Sequence, residues 1–421
     1  MTIRILVVDD SVVVRKLLTS TLSEVPGMQV VATAAQGRIA LAKIAQLHPD
    51  IVILDVEMPE MDGIETVKRI RKESPRLPVI MFSTRTERGA VATIEALTSG
   101  ASDYVTKPSN AGNVGVTMAR VRDELVPKIQ ALTAGARAAG AAPPTPVSVA
   151  PAPMAGKTTT MPLLTRTSAP LASPSLSFTT QLPTLPGKPV TQVITRPRST
   201  TSTPIIPEVL VARPSRAVGP RPPVEIVAIG ASTGGPNALA VILPQLPAEF
   251  PVPIVIVQHM LATFTRHFAE RLSSQCQLEI LEAVAGDALI PGHAYVARGD
   301  YHLLVERRAG RAHLVLNQDE VENFCRPAVD VLFRSVAHCY GPSALAVVLT
   351  GMGHDGLLGC GAIREAGGEV VVQDESTSVV WGMPGFVAKA GLANQVMPLD
   401  HLGGEIRRRV ALGVRMVGAT P

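Results

Sequence analysis

Five times before residue 135 the chain repeats one unit: a short apolar run that stops at a polar residue, then a stretch with apolar residues at helical spacing. Residues 3–8 (IRILVV) stop at Asp9 and Asp10 and lead into SVVVRKLLTSTL. MQVVATA leads into RIALAKIAQL, and PDIVILDVEMPEMDG carries a strand that ends at Asp55 and leads into ETVKRIRKES. LPVIMFST leads into AVATIEALTSG, and ASDYVTKP closes on Lys107 and Pro108 before VTMARVRDELVPKIQAL. Such alternation predicts a doubly wound parallel sheet, whose ligands sit outside the carboxyl ends of the strands. Asp9, Asp10, Asp55, Ser83 or Thr84, and Lys107 all fall at those ends. Three converging carboxylates repel one another unless a hard cation joins them, and oxygen ligands favour Mg²⁺. A lysine beside them balances an added phosphoryl group.

The pattern stops at residue 136. Between Ala136 and Pro223 nine Lys or Arg face one acidic residue, Glu208, and the stretch holds 18 of the 36 prolines and one aromatic, Phe178. It carries +8 of a net charge of +4, so the rest of the chain carries −4. A segment of this composition buries too little apolar surface to offset its ordering entropy, and we expect a long disordered linker. Its basic charges are scattered singly, which disfavours a nucleic-acid tail. No apolar run approaches the roughly 18 residues of a membrane span. The N-terminus reaches paired aspartates within ten residues, unlike a secretory signal. Cys276, Cys325, Cys339 and Cys360 lack metal spacing and are expected as reduced thiols in a cytoplasmic protein. The expected organisation is therefore residues 1–135, a linker at 136–223, and a second α/β domain at 224–421.

That second domain opens on VAIGASTGGP, residues 227–236. Its glycines do not fit GxGxxG and no GK[ST] follows, so a phosphate-cradling loop fails on detail. GASTG does fit GxSxG, the sharp strand-to-helix turn that exposes a serine hydroxyl beside backbone donors. A serine nucleophile needs a base and a group that orients the base. PVPIVIVQHM is a strand delivering His259, and ALAVVLTGMGHDG is a strand whose glycine-rich turn presents Asp355. In a parallel sheet these ends share a rim with Ser232, although the order Ser, His, Asp differs from that of the α/β-hydrolases. Plainer roles stand beside these: Ser232 or Asp355 as a helix cap, His259 as a satisfied strand-end histidine. Asp287, Asp300, Asp330 and Asp374 are rival acids, and His267 and His354 rival bases. Trp381 is expected in the core rather than at the rim.

Two resemblances complete the reading. Asp9-Asp10, LDVEMPEMDG, Ser83, Tyr104 and KP resemble the receiver domain of two-component response regulators. That resemblance implies a flavodoxin-like fold in which Asp55 accepts phosphate from a histidine kinase. Asp9, Asp10, Asp55 and the Glu57 carbonyl would hold Mg²⁺, Ser83 and Lys107 would meet the phosphoryl group, and Tyr104 would be the switch aromatic. AIGASTGGP, QHM with FTRHFAERL, RPAVDVLFRSVA, LTGMGHDG and VVWGMPG resemble the catalytic domain of the chemotaxis protein-glutamate methylesterases. This implies a Rossmann-like, mostly parallel sheet with Ser232 as nucleophile, His259 as base and Asp355 as orienter. Backbone amides of Thr233 and Met352 would hold the oxyanion. The substrates would be methyl esters, and isosteric glutamines, on chemoreceptor cytoplasmic helices, met in an open cleft without metal or organic cofactor. Neither nucleic acid nor direct membrane insertion is expected. Two departures stand out: the 88-residue linker, and His354 where relatives often have Asn. The competing reading is a phosphorylation-controlled binding protein without turnover.

Overall fold

The computed structural model describes residues 2–84, 86–108, 114–138 and 222–417. The expected linker at 136–223 lies, except at its two ends, outside the described residues. The first α/β part runs β1 (Ile3–Val8), α1 (Val12–Ser23), β2 (Met28–Ala34), α2 (Gly37–Leu47), β3 (Ile51–Asp55), α3 (Gly63–Glu73), β4 (Val79–Ser83), α4 (Glu87–Thr98), β5 (Asp103–Thr106) and α5 (Val114–Ala138). Its five strands are parallel in the order β2-β1-β3-β4-β5. That is the flavodoxin-like arrangement, as expected, with a switch point between β1 and β3. Every residue of β3 and β4 is buried, because helices cover both faces of the sheet. Side chains of Ser11, Asp62 and Thr86 accept the first free amides of α1, α3 and α4, which sets where those helices begin.

The second part runs β6 (Ile226–Ala231), α6 (Gly235–Ile242), β7 (Ile254–Gln258), α7 (Ala262–Ser273), β8 (Glu279–Glu282), β9 (His293–Val296), β10 (His302–Arg308), β11 (Arg311–Asn317), α8 (Val329–Tyr340), β12 (Ala344–Val348), α9 (Leu357–Glu365), β13 (Glu369–Gln373), α10 (Met383–Lys389), β14 (Gln395–Met397) and α11 (Leu399–Val417). Seven strands form one parallel sheet in the order β14-β13-β12-β6-β7-β9-β8, and β10 pairs with β11 as a separate antiparallel hairpin. β6 lies between β12 and β7, so the loops after these three strands open on one rim. β8 to β11 follow one another without an intervening helix, which is why strand–helix alternation does not reveal them. All strand pairings in both sheets are parallel, as the sequence predicts.

One face of the second sheet is covered by α8, through Val329, Leu332, Phe333 and Val336. Phe333 is fully buried. Phe333→Ala is expected to destabilise the second part by about 3–5 kcal/mol. A lowered urea midpoint checks this, and an unchanged midpoint would mean that α8 does not seal the sheet.

Candidate active site

Ser232 follows β6 directly, and its N–H donates to Thr350 O at 3.1 Å. The chain then turns into α6 through Gly234, whose φ of +79° is left-handed. The loop after β12 passes so close to this turn that a Cβ on Gly351 would stand 2.9 Å from Ser232 Cβ. His259 follows β7, and its N–H donates to Ala231 O at 3.1 Å. Buried Gln258 clamps the two loops, since its Nε2 donates to Ser232 O at 2.9 Å and to His259 O at 3.2 Å. Asp355, in the loop after β12, places Oδ2 at 2.7 Å from His259 Nε2. Ser232, His259 and Asp355 line one cleft of ≈ 510 Å³. The geometry thus pairs His259 with Asp355 and sets Ser232 on the same rim. Among the described residues no hydrogen bond joins Ser232 Oγ to His259, and neither the Thr233 nor the Met352 N–H has a partner.

Asp355 is almost completely buried and collects further donors. Its Oδ1 accepts from Asn323 Nδ2 at 2.9 Å and from the amides of Asp330 and Gly356 at 3.0 Å. Oδ2 accepts from the Val329 amide at 2.7 Å. Burial alone would raise this carboxyl, but His259 and the amides hold it below the usual carboxylate range. Burial also works against a charged His259, yet its bond to Asp355 and a contact of Nδ1 with Cys325 Sγ at 3.5 Å outweigh it and hold the ring above its ordinary value. Neighbouring Asp330 is pushed up to about 6 by burial and by Asp355.

Most of the rival groups are engaged away from the cleft, but His354 lines it beside Asp355. His267 meets Glu270 at 3.2 Å, and His354 stands edge-on to Phe386 at 5.8 Å between ring centroids. Asp300 pairs with Arg326 at 2.7 Å, and Asp374 accepts from Ser376 and Thr377. Asp287 does not line the cleft. Asp330 lies beside the site, accepting from Gly359 N at 2.6 Å and Asn323 Nδ2 at 2.9 Å. Trp381 is only half-buried, donating its indole N–H to Gln373 O at 3.1 Å away from the cleft. Sequence patterns missed Asn323 and Cys325, which sit in an irregular loop with no spacing signal.

At the rim of the first sheet Asp55 and Asp9 are buried, and Lys107 Nζ bridges them at 2.7 and 2.8 Å. Burial pushes Asp55 up to about 6, with Lys107 pulling the other way and Asp9 adding to the rise. Burial would lower Lys107, but Asp55 and Asp9 keep it above its ordinary value. One oxygen from each of Asp9, Asp10 and Asp55 lies within 4.8 Å of the others. The Glu57 N–H donates to Asp55 Oδ1 at 3.3 Å. Ser83 is turned toward α4, donating to Gly89 O at 3.2 Å and accepting from Thr93 Oγ1 at 2.6 Å.

The two rims are joined through β5. Buried Asp103 accepts from Thr233 Oγ1, beside Ser232, and Lys128 Nζ donates to Asp103 Oδ1 at 2.9 Å. Gly234 N donates to Ser102 O at 3.1 Å, and Asn237 Nδ2 to Ala101 O at 2.7 Å. Tyr104, expected as the switch aromatic, is buried: its hydroxyl accepts from Leu261 N at 3.1 Å and its ring lies 4.6 Å from that of Phe264.

A family profile described as CheB methylesterase matches residues 227–406, and one described as response regulator receiver domain matches 5–118. A protein of Trichodesmium erythraeum named protein-glutamate methylesterase/protein-glutamine glutaminase is 46% identical over 407 residues, covering 97% of this chain and 99% of that protein. One of the same name from Nocardioides sp. is 47% identical over 410 residues, covering 97% of this chain and 96% of that protein. Among solved structures, the catalytic domain of Thermotoga maritima CheB methylesterase is 41% identical and covers 44% of this chain and 97% of its own, with a TM-score of 0.43.

Because the Cys325 contact favours the charged ring, Cys325→Ala is expected to let His259 lose its proton at lower pH than in the wild type. Imidazole NMR shifts followed against pH check this. An unmoved titration would leave Asp355 as the sole cause.

Proposed function

Since the chain belongs to the CheB methylesterase family, with a receiver domain ahead of the catalytic domain, we propose that Ser232, His259 and Asp355 are the triad with which it demethylates chemoreceptor glutamates. The 2.7 Å pairing of His259 with Asp355, on the rim that carries Ser232, supports this above all. With Nε2–H held by Asp355, the ring offers a lone pair at Nδ1 once it has lost its second proton, which Asp355 and Cys325 make harder to remove. Nδ1, which contacts Cys325 Sγ at 3.5 Å, is the ring atom left to serve Ser232 on the same rim. His259 then takes the Ser232 proton while Oγ bonds to the ester carbon. The unengaged amides of Thr233 and Met352 hold the oxyanion. The C–OCH₃ bond breaks, methanol leaves with the proton from His259, and water releases glutamate by the same steps in reverse. A glutamine amide passes through the same sequence, with ammonia as leaving group.

The receiver takes its phosphoryl group at Asp55 from a chemotaxis histidine kinase. Asp9, Asp10, Asp55 and the Glu57 carbonyl offer an all-oxygen donor set, and the 4.8 Å grouping of the three carboxylates fits Mg²⁺. When bound, the cation supplies positive charge to offset that of the entering phosphate. Lys107, already bridging Asp9 and Asp55, pairs with the phosphoryl oxygens, and Ser83 turns from α4 toward them. Tyr104 and Asp103 link that change to the catalytic rim, since they hold Leu261 and Thr233. The unphosphorylated receiver thereby restrains the esterase. The substrates are receptor helices on the cytoplasmic side, where we place the enzyme; no described helix is long and apolar enough to cross a membrane.

Ser232→Ala and His259→Ala are each expected to lower methanol release from methylated receptor membranes by about 10⁴-fold or more, with the double variant little worse than Ser232→Ala. Full release by His259→Ala would remove histidine from the mechanism. A fragment beginning at Pro222 is expected to outpace the unphosphorylated whole chain by a modest factor, and a small phosphodonor with Mg²⁺ to speed only the whole chain. Asp55→Asn should abolish that response. Equal rates and no response would defeat the restraint.

A further inference from the structure

Residue 324 is a phenylalanine at the mouth of the catalytic cleft, and its relative exposure is 100%. Its backbone is left-handed, with φ +62°, and that of Asn323 before it is too, at +52°. Asparagine tolerates that conformation, but for a phenylalanine it is costly and persists where surrounding contacts support it. The contacts are present. Glu322 is held by both guanidinium nitrogens of Arg334, at 2.7 and 2.6 Å, and the backbones of Glu322 and Cys325 bond to each other twice. Asn323 donates to Asp330 and Asp355 on the inner side of the loop. These contacts hold the backbone of the turn that presents Phe324 to solvent.

We propose that Phe324 is a specificity-determining residue that grips an apolar side chain of the receptor helix next to the esterified glutamate. The proposal rests on the triad reading above. Continuity with the catalytic cleft identifies the occupant: Phe324 borders the cleft that holds Ser232 and His259, and half-exposed Met352 extends its apolar lip. Receiver side chains line that cleft too, through Tyr104 and Lys128, yet they leave the ring bare. A large aromatic left wholly in water beside a cleft that must admit a protein substrate gains its contact when that substrate arrives. Phe324 touches no reacting atom, so it acts on the protein substrate and not on ester chemistry.

The test compares the whole chain, treated with phosphodonor, on methylated receptor membranes and on a small soluble ester, N-acetylglutamate γ-methyl ester. Phe324→Ala is expected to lower kcat/KM for receptor esters by about 10- to 50-fold, mainly through KM, and to leave the small ester within about twofold. Phe324→Leu, which keeps an apolar grip, should retain most receptor turnover. Phe324→Asn tolerates the left-handed backbone, so it relieves strain without restoring contact and should fail on receptors as Ala does. Receptor turnover by Ala and Asn variants at the wild-type rate would overturn the proposal. So would equal losses on both esters, which would make the ring a support of the Asn323–Cys325 loop. Wild-type chain inactive on both esters would instead sink the triad reading.

Discussion

A single buried carboxylate organises the catalytic rim. Asp355 accepts from His259, from Asn323, and from the amides of Val329, Asp330 and Gly356. An ionised carboxyl this deeply buried is tolerable only when donors surround it. Val329 and Asp330 open α8, and Gly356 precedes α9, so the positive ends of two helices face the same charge. The requirement to satisfy Asp355 therefore fixes where α8 and α9 begin, how the 322–326 loop enters, and which ring nitrogen His259 turns inward. Nδ1 is the ring nitrogen of His259 not taken by Asp355, and Asn323 donates to both the Asp330 and Asp355 carboxyls.

The second constraint is the junction of the two sheets. Asp103 is shared between Lys128 of α5 and Thr233 of the turn after β6. Tyr104, next in sequence, bonds the loop that follows His259. Residues beside both ends of the proposed proton path, Thr233 and Leu261, are thus bonded to two adjacent residues of β5, the strand next to the one that carries Ser83. In the proposed regulation a phosphoryl group at Asp55 would not need to reach the esterase, since β5 already carries the residues that contact it. Apolar packing is continuous across the junction, with Leu97 and Tyr104 in the same core as Leu239 and Phe264.

The polar residues that end strands are legible in the sequence because the signal is local. An apolar run that stops at Asp9, Asp55, Ser232 or His259 announces both the strand and the position of its last side chain. Five strand–helix units likewise give the parallel direction of the first sheet, while its strand order follows from the receiver resemblance. What is hidden depends on chain segments far apart. Thr233 and Asp103 are 130 residues apart, and Cys325 and His259 are 66 apart. Cys325 and Asn323 occupy a loop without periodicity, and no pattern distinguishes their side chains from surface ones. Asp330 was visible as a candidate acid, but its place beside Asp355 follows from how α8 packs. Strands β8 to β11 escape for a different reason: no helices separate them.

The central claim is that Ser232 is a nucleophile activated by a histidine that Asp355 holds. A serine-directed phosphonate probe on the whole chain tests it without any receptor, with the adduct located by peptide mass spectrometry. One adduct is expected, on Ser232, forming faster with phosphodonor present and nearly lost in Asp355→Asn. Methanol release by a chain whose Ser232 stays unlabelled, or labelling that ignores the loss of Asp355, would contradict it.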